Sequence, residues 1–121
     1  MKVEKIEWIS RAGQEAEVQL SSDGLVCVAF CQPCEYEEGA SLEEPLHAFM
    51  VKNVVLTVEE NTSLTRVSRS SFAYKIVAKV LDPKQALVSI DGFKVELDER
   101  IPAGVNSGDF IGFECSRLDL W

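Results

Sequence analysis

The chain has 121 residues, 46% hydrophobic and 26% charged, which fits a single globular domain over residues 1–121 that holds its core without disulfides or metal. Its formal net charge of −8 opposes phosphate backbones, so nucleic acid is a poor partner. No run of about 18 apolar residues is present, and "MKVEKIEWIS" lacks the apolar core of a secretory signal, so a cytoplasmic protein with no membrane partner and reduced cysteines is expected.

The charge is uneven. Residues 1–60 carry twelve acids and four bases, whereas residues 61–121 carry eight of each. The excess is densest in "CEYEEGASLEE", Cys34 to Glu44. Such a stretch is a solvated loop or a surface that steers a basic partner.

The dominant hydrophobic period is two, the period of strands. "KVEKIEWIS" opens as a strand with Ile6 and Trp8 on one face. "EAEVQL" turns Ala16, Val18 and Leu20 inward, and "SSDG" makes a turn. "LVCVAFC" returns, with Leu20 expected opposite Leu25, Val18 opposite Cys27 and Ala16 opposite Ala29. Val26, Val28 and Phe30 make its second face apolar too, which predicts cover on both sides.

"SLEEPLHA" is able to open a short helix, with Ser41 as N-cap and Glu44 as its capping-box partner. "FMVKNVVLTVEE" reads as one strand, and "NTSLTRVSRSS" as the main exposed loop. "SFAYKIVAKVL" alternates again. Keeping its face apolar against the next strand requires a bulge or a five-residue loop at 81–85, with Val80 opposite Ala86. "ALVSIDGFKVEL" is a hairpin on Asp91-Gly92, expected as type I′, pairing Ile90 with Phe93 and Val88 with Val95. "DERIPAGVNSGD" is a connection, and "DFIGFEC" a strand with Ile111, Phe113 and Cys115 on one face. A bulge near Ser116 brings Leu118 and Leu120 into phase, and Trp121 should be docked. The sum is an all-β fold, an antiparallel barrel or sandwich of about seven to eight strands with at most one or two short helices and an OB-like barrel as a variant.

Three constellations carry chemistry. Cys31-x2-Cys34, with His47 after it, has the spacing of three zinc ligands, but no fourth follows at the required distance. The same Cys-x-Pro-Cys superficially resembles the thioredoxin order, yet Glu35, Glu37 and Glu38 follow at once and disfavour a thiolate. Cys27 and Cys31 lie about 13 Å apart on an extended strand, too far to bridge. Phe72, Tyr74 and Phe93 would serve as stacking platforms for single strands, but their period assigns them to the core.

No catalytic motif or carboxylate pair stands out, and no cofactor is expected. The expected function is a small, acidic, non-enzymatic interaction domain of immunity or adaptor type. It would meet a protein, plausibly a basic one, through Glu35, Glu37, Glu38, Glu43 and Glu44. The alternatives are an OB-like barrel binding oligonucleotide or a small ligand, and a zinc protein using Cys31 and Cys34.

Overall fold

Alternation of period two builds eleven strands and no helix in the computed structural model, which describes residues 1–121. In chain order they are β1 (Lys2–Ser10), β2 (Glu15–Ser22), β3 (Leu25–Cys31), β4 (Leu46–Phe49), β5 (Lys52–Leu56), β6 (Ser63–Arg66), β7 (Tyr74–Asp82), β8 (Leu87–Ile90), β9 (Phe93–Leu97), β10 (Phe110–Cys115) and β11 (Arg117–Leu120). They form one mixed sheet in the order β1-β2-β3-β11-β4-β9-β8-β7-β10-β5, with β6 on β7. The path has free ends and does not close.

The all-β expectation therefore holds, but the antiparallel barrel or sandwich of seven to eight strands, with its OB-like variant, is corrected to one open mixed sheet. Two ladders are parallel, β3 with β11 and β4 with β9. Both join strands distant in sequence, which hairpin reasoning from neighbouring segments does not reach. The expected short helix is absent as well. Ser41 instead forms an isolated bridge to Lys2, and Pro45 follows too soon for a helix to extend.

Two hairpins build the N-terminal part. Ile6 faces Val18 and Trp8 faces Ala16. The β2–β3 register differs from expectation by two residues, with Leu20 opposite Cys27, Val18 opposite Ala29 and Ala16 opposite Cys31. The cause is the turn. Asp23 and Gly24 take φ of 50° and 80°, so they alone form the loop and Ser22 already pairs with Leu25. A shift by two preserves the face, so the same side chains remain buried.

The β8–β9 register is as expected, Ile90 opposite Phe93 and Val88 opposite Val95. The turn is not type I′, because only Asp91 has positive φ, 49°. Gly92 is required there for space, since an added Cβ would run into Ser22 Oγ at the tip of the β2–β3 hairpin. The β7–β8 ladder shifts between Val80 and Asp82, within the stretch expected to hold a bulge, but Val80 faces Val88 rather than Ala86.

The long strand expected at 49–60 is broken. Met50 has φ of 55°, and the Met50 and Val51 amides donate to the two oxygens of Asp98 at 2.7 and 3.0 Å. That carboxylate takes up two amides that a straight strand would have placed in a ladder. The expected loop at 61–71 contains β6, whose Leu64 packs on the core.

One core runs between these strands. Leu20, Leu46, Ile76, Ile90 and Phe93 are fully buried, each stabilising the fold by about 1.5–3 kcal/mol. Tyr74 is buried on β7, and its hydroxyl accepts a hydrogen bond from the Val28 amide at 2.8 Å. Burial raises its phenol above the ordinary value. No helix is long and apolar enough to cross a membrane.

Candidate functional site

The outer face of the sheet carries the most distinctive side chains. The ladders β2–β3–β11–β4–β9 align Glu17, Phe30, Asp119, His47 and Glu96 in one row across five strands. In the neighbouring row Arg117 faces Phe49. Alternation puts Leu46, Ala48, Leu118 and Leu120 in the core and leaves these partners outside.

Arg117 organises the centre. Its guanidinium lies 4.4 Å from the Phe30 ring centroid and 4.8 Å from that of Phe49, and its Nε donates to Asp119 Oδ1 at 2.7 Å. A cation over an aromatic ring contributes about 0.5–1 kcal/mol at exposed sites. Phe72 meets Phe30 edge-on at 5.9 Å, and Arg66 lies over Phe72 while pairing with Glu17 at 3.2 Å. Side chains, not a second layer, thus cover the outer face of β3, and only in part. Val26 is exposed.

Beside this cluster the Trp121 ring stacks on His47, 3.6 Å between centroids and 12° from parallel. His47 Nδ1 lies 3.6 Å from Glu96 Oε2. The C-terminus is docked through β11, as expected, but the Trp121 side chain itself is not packed away: it remains 66% exposed, and Phe49 on the same hollow is exposed too. A hollow of about 150 Å³ lies between His47, Phe49, Glu96, Asp98, Asp119 and Trp121. The site is therefore an aromatic centre with a carboxylate rim.

The acidic loop lies next to it. Burial raises the Tyr36 phenol above its ordinary value, with the charges of Glu44 and Glu35 adding to the rise, and Asp119 and Glu35 add in the same way to the larger effect of burial on the Cys31 thiol. Glu35, Glu37, Glu43 and Glu44 are exposed, and none forms an ion pair. Glu38 differs, because its carboxylate accepts the Ile6 amide at 3.0 Å. The backbone here is tied to β1 through Gly39 N to Val3 O, Val3 N to Ala40 O and Leu42 N to Met1 O. Glu43 and Glu44 line a cleft of about 470 Å³ with Met1, Leu42, Gly92 and Lys94.

The cysteines are all free and buried. The structure brings Cys31 and Cys34 together, and Gln32–Pro33 between them is cis. Burial, then the hydrogen bond and charge of Cys34, push the Cys31 thiol up to about 12, and burial does the same for Cys27 and Cys115. Thiols so placed stay protonated at neutral pH and are weak nucleophiles. His47 is turned to Glu96 and Trp121, and no group of three or more His, Cys, Asp or Glu side chains is placed to hold a metal ion.

Of the three aromatics whose period assigns them to the core, Tyr74 and Phe93 are buried there as expected, whereas Phe72 is half-buried under Arg66. Sequence reasoning missed Phe30, Phe49 and Arg117 as surface partners, and Asp119 as the buried carboxylate that Arg117 pairs with. The one available signal was the second apolar face of β3. No protein-family model matches the chain, and neither a curated protein nor a solved structure is similar to it.

Proposed function

We propose that this chain is a small non-enzymatic protein-binding domain, of immunity or adaptor type and cytoplasmic, that receives a basic partner on the aromatic face and the acidic loop together. The observation that carries the reading is the exposed Trp121 stacked on His47, across the same hollow from exposed Phe49. Trp and Arg are among the residue types that concentrate binding energy in protein interfaces, and Phe is enriched there with the other aromatics. The four loop carboxylates without cation partners supply the complementary charge, which speeds encounter and rejects acidic competitors.

The two parts have separable kinetic roles. Carboxylates at the rim act on association, and the ring at the centre acts on dissociation. The test is affinity capture from the native host, followed by binding kinetics with the captured protein across a salt series. The triple variant Glu37→Lys, Glu43→Lys, Glu44→Lys should slow association about tenfold or more and flatten its salt dependence. Trp121→Ala should leave association nearly unchanged and speed dissociation. Association rates indifferent to both salt and charge reversal would refute the acidic contribution. Unchanged dissociation in Trp121→Ala would refute the aromatic one.

A further inference from the structure

We infer that the hollow beside Trp121 is a guanidinium site, filled by one arginine side chain of the partner. The inference rests on the reading of this face as a protein-binding surface and names the group that enters it.

The outer face sets aromatic rings beside carboxylates three times. In the first unit Phe72 stands with Glu17, and Arg66 lies over the ring while pairing with the carboxylate at 3.2 Å. In the second Phe30 and Phe49 stand with Asp119, and Arg117 lies over both rings while its Nε donates to Asp119 at 2.7 Å. In the third the stacked rings of Trp121 and His47 stand with Glu96, Asp98 and Asp119 around the hollow of about 150 Å³. This third unit has no cation of its own. No arginine or lysine lies over Trp121 or His47, and none pairs with Glu96 or Asp98. The chain fills two such places with its own guanidinium groups and leaves the third open.

Bonding capacity remains at two of the three carboxylates. Asp98 gives both oxygens to the Met50 and Val51 amides, so it adds charge to the rim. Asp119 gives one oxygen to Arg117, and its other oxygen accepts no hydrogen bond although the residue is only 9% exposed. No sealed side-chain oxygen of the chain lacks a partner, so this one is reachable from outside, and the hollow is the opening that Asp119 lines. Glu96 lies 3.6 Å from His47 Nδ1, beyond hydrogen-bond length, so its carboxylate is free to accept from a ligand. Together these acids outweigh the one cation beside them, Arg117.

A guanidinium suits this set. It is planar and weakly hydrated, stacks on aromatic faces and meets a carboxylate with two parallel N–H donors. An ammonium is a strongly hydrated point charge without that flat face. The hollow is about half the ~300 Å³ at which small-molecule pockets begin, so it takes the head of one side chain rather than a metabolite.

NMR titration of the whole chain with N-acetylarginine amide tests the inference. The probe should shift the Trp121 indole and His47 ring signals saturably and leave the Trp8 indole in place. N-acetyllysine amide should bind about tenfold more weakly. Glu96→Gln, which keeps the side-chain size, should weaken the arginine probe about tenfold with the rest of the spectrum unchanged. Glu43→Gln, in the acidic loop, should have no effect. Shifts that do not saturate, equal binding of the lysine probe, an unaffected Glu96→Gln, or an equal loss in Glu43→Gln would each overturn the inference. If the probe fails while Trp121→Ala still speeds dissociation of the captured partner, the guanidinium site falls and the protein-binding reading stands. If the probe binds as described and the partner's dissociation ignores Trp121→Ala, the site stands and the protein-binding reading falls.

Discussion

The two ends of the sheet are built from the same alternation and present opposite surfaces. At β1 the chain returns as residues 38–42 and occupies the exposed amides, so the acidic loop covers an edge while displaying its carboxylates. At β5 nothing returns, and Val55 and Leu56 stay in water. The difference lies in the neighbouring loops rather than in the strands. An edge is defined by what the adjoining chain does with it, and composition within the strand is a poor guide to exposure.

The largest contrast is expected in the core against the open edge. Leu20→Ala, behind the covered end, should cost about 2–5 kcal/mol in urea unfolding, while Leu56→Ala should fall within about 0.5 kcal/mol. A comparable loss at both positions would mean that β5 is covered in solution. Alkali provides the next contrast. The folded values of Cys27, Cys31 and Cys115 lie near 12, above the ordinary value of 9.0, so the folded state holds those protons more tightly. That contribution is complete below about pH 9 and is lost as pH rises toward 12. For Cys27 the slope is at most about 1.4 kcal/mol per pH unit, and Cys27→Ala should remove that part of the fall in urea midpoint. The smallest effect is at the cover itself. Glu38→Ala should cost about 1 kcal/mol and speed exchange of the Ile6 amide, leaving β5 amides unchanged. An Ile6 amide as protected as before would show that Glu38 does not hold the cover.

Much of the local structure was legible in the sequence, because strand faces follow period two. Ile76, Ala78 and Val80 turn inward as their spacing indicates, and the Asp91-Gly92 hairpin keeps its register. The β2–β3 register lies two residues from the expected one because Asp23-Gly24 closes the hairpin alone, as the same dipeptide does at Asp91-Gly92. The parallel ladders were not legible, since nothing near β3 or β4 names β11 or β9 as a neighbour. The break at Met50 depends on Asp98, forty-eight residues away in sequence. The site was half legible for the same reason. Glu43 and Glu44 declare themselves by local density, whereas Arg117 matters only once the sheet sets it between Phe30 and Phe49.

β11 has a consequence for how the chain assembles. Along the path it is the link between β1–β2–β3 and the other strands, and it comprises residues 117–120. The hairpins on Asp23-Gly24 and Asp91-Gly92 need only local closure, and they form early. Joining them waits for a segment that begins eighty-six residues after β3 ends, and closing so long a loop is slow. Until then the inner faces of β2 and β3 lack their completing neighbour, so folding is governed by the last strand made.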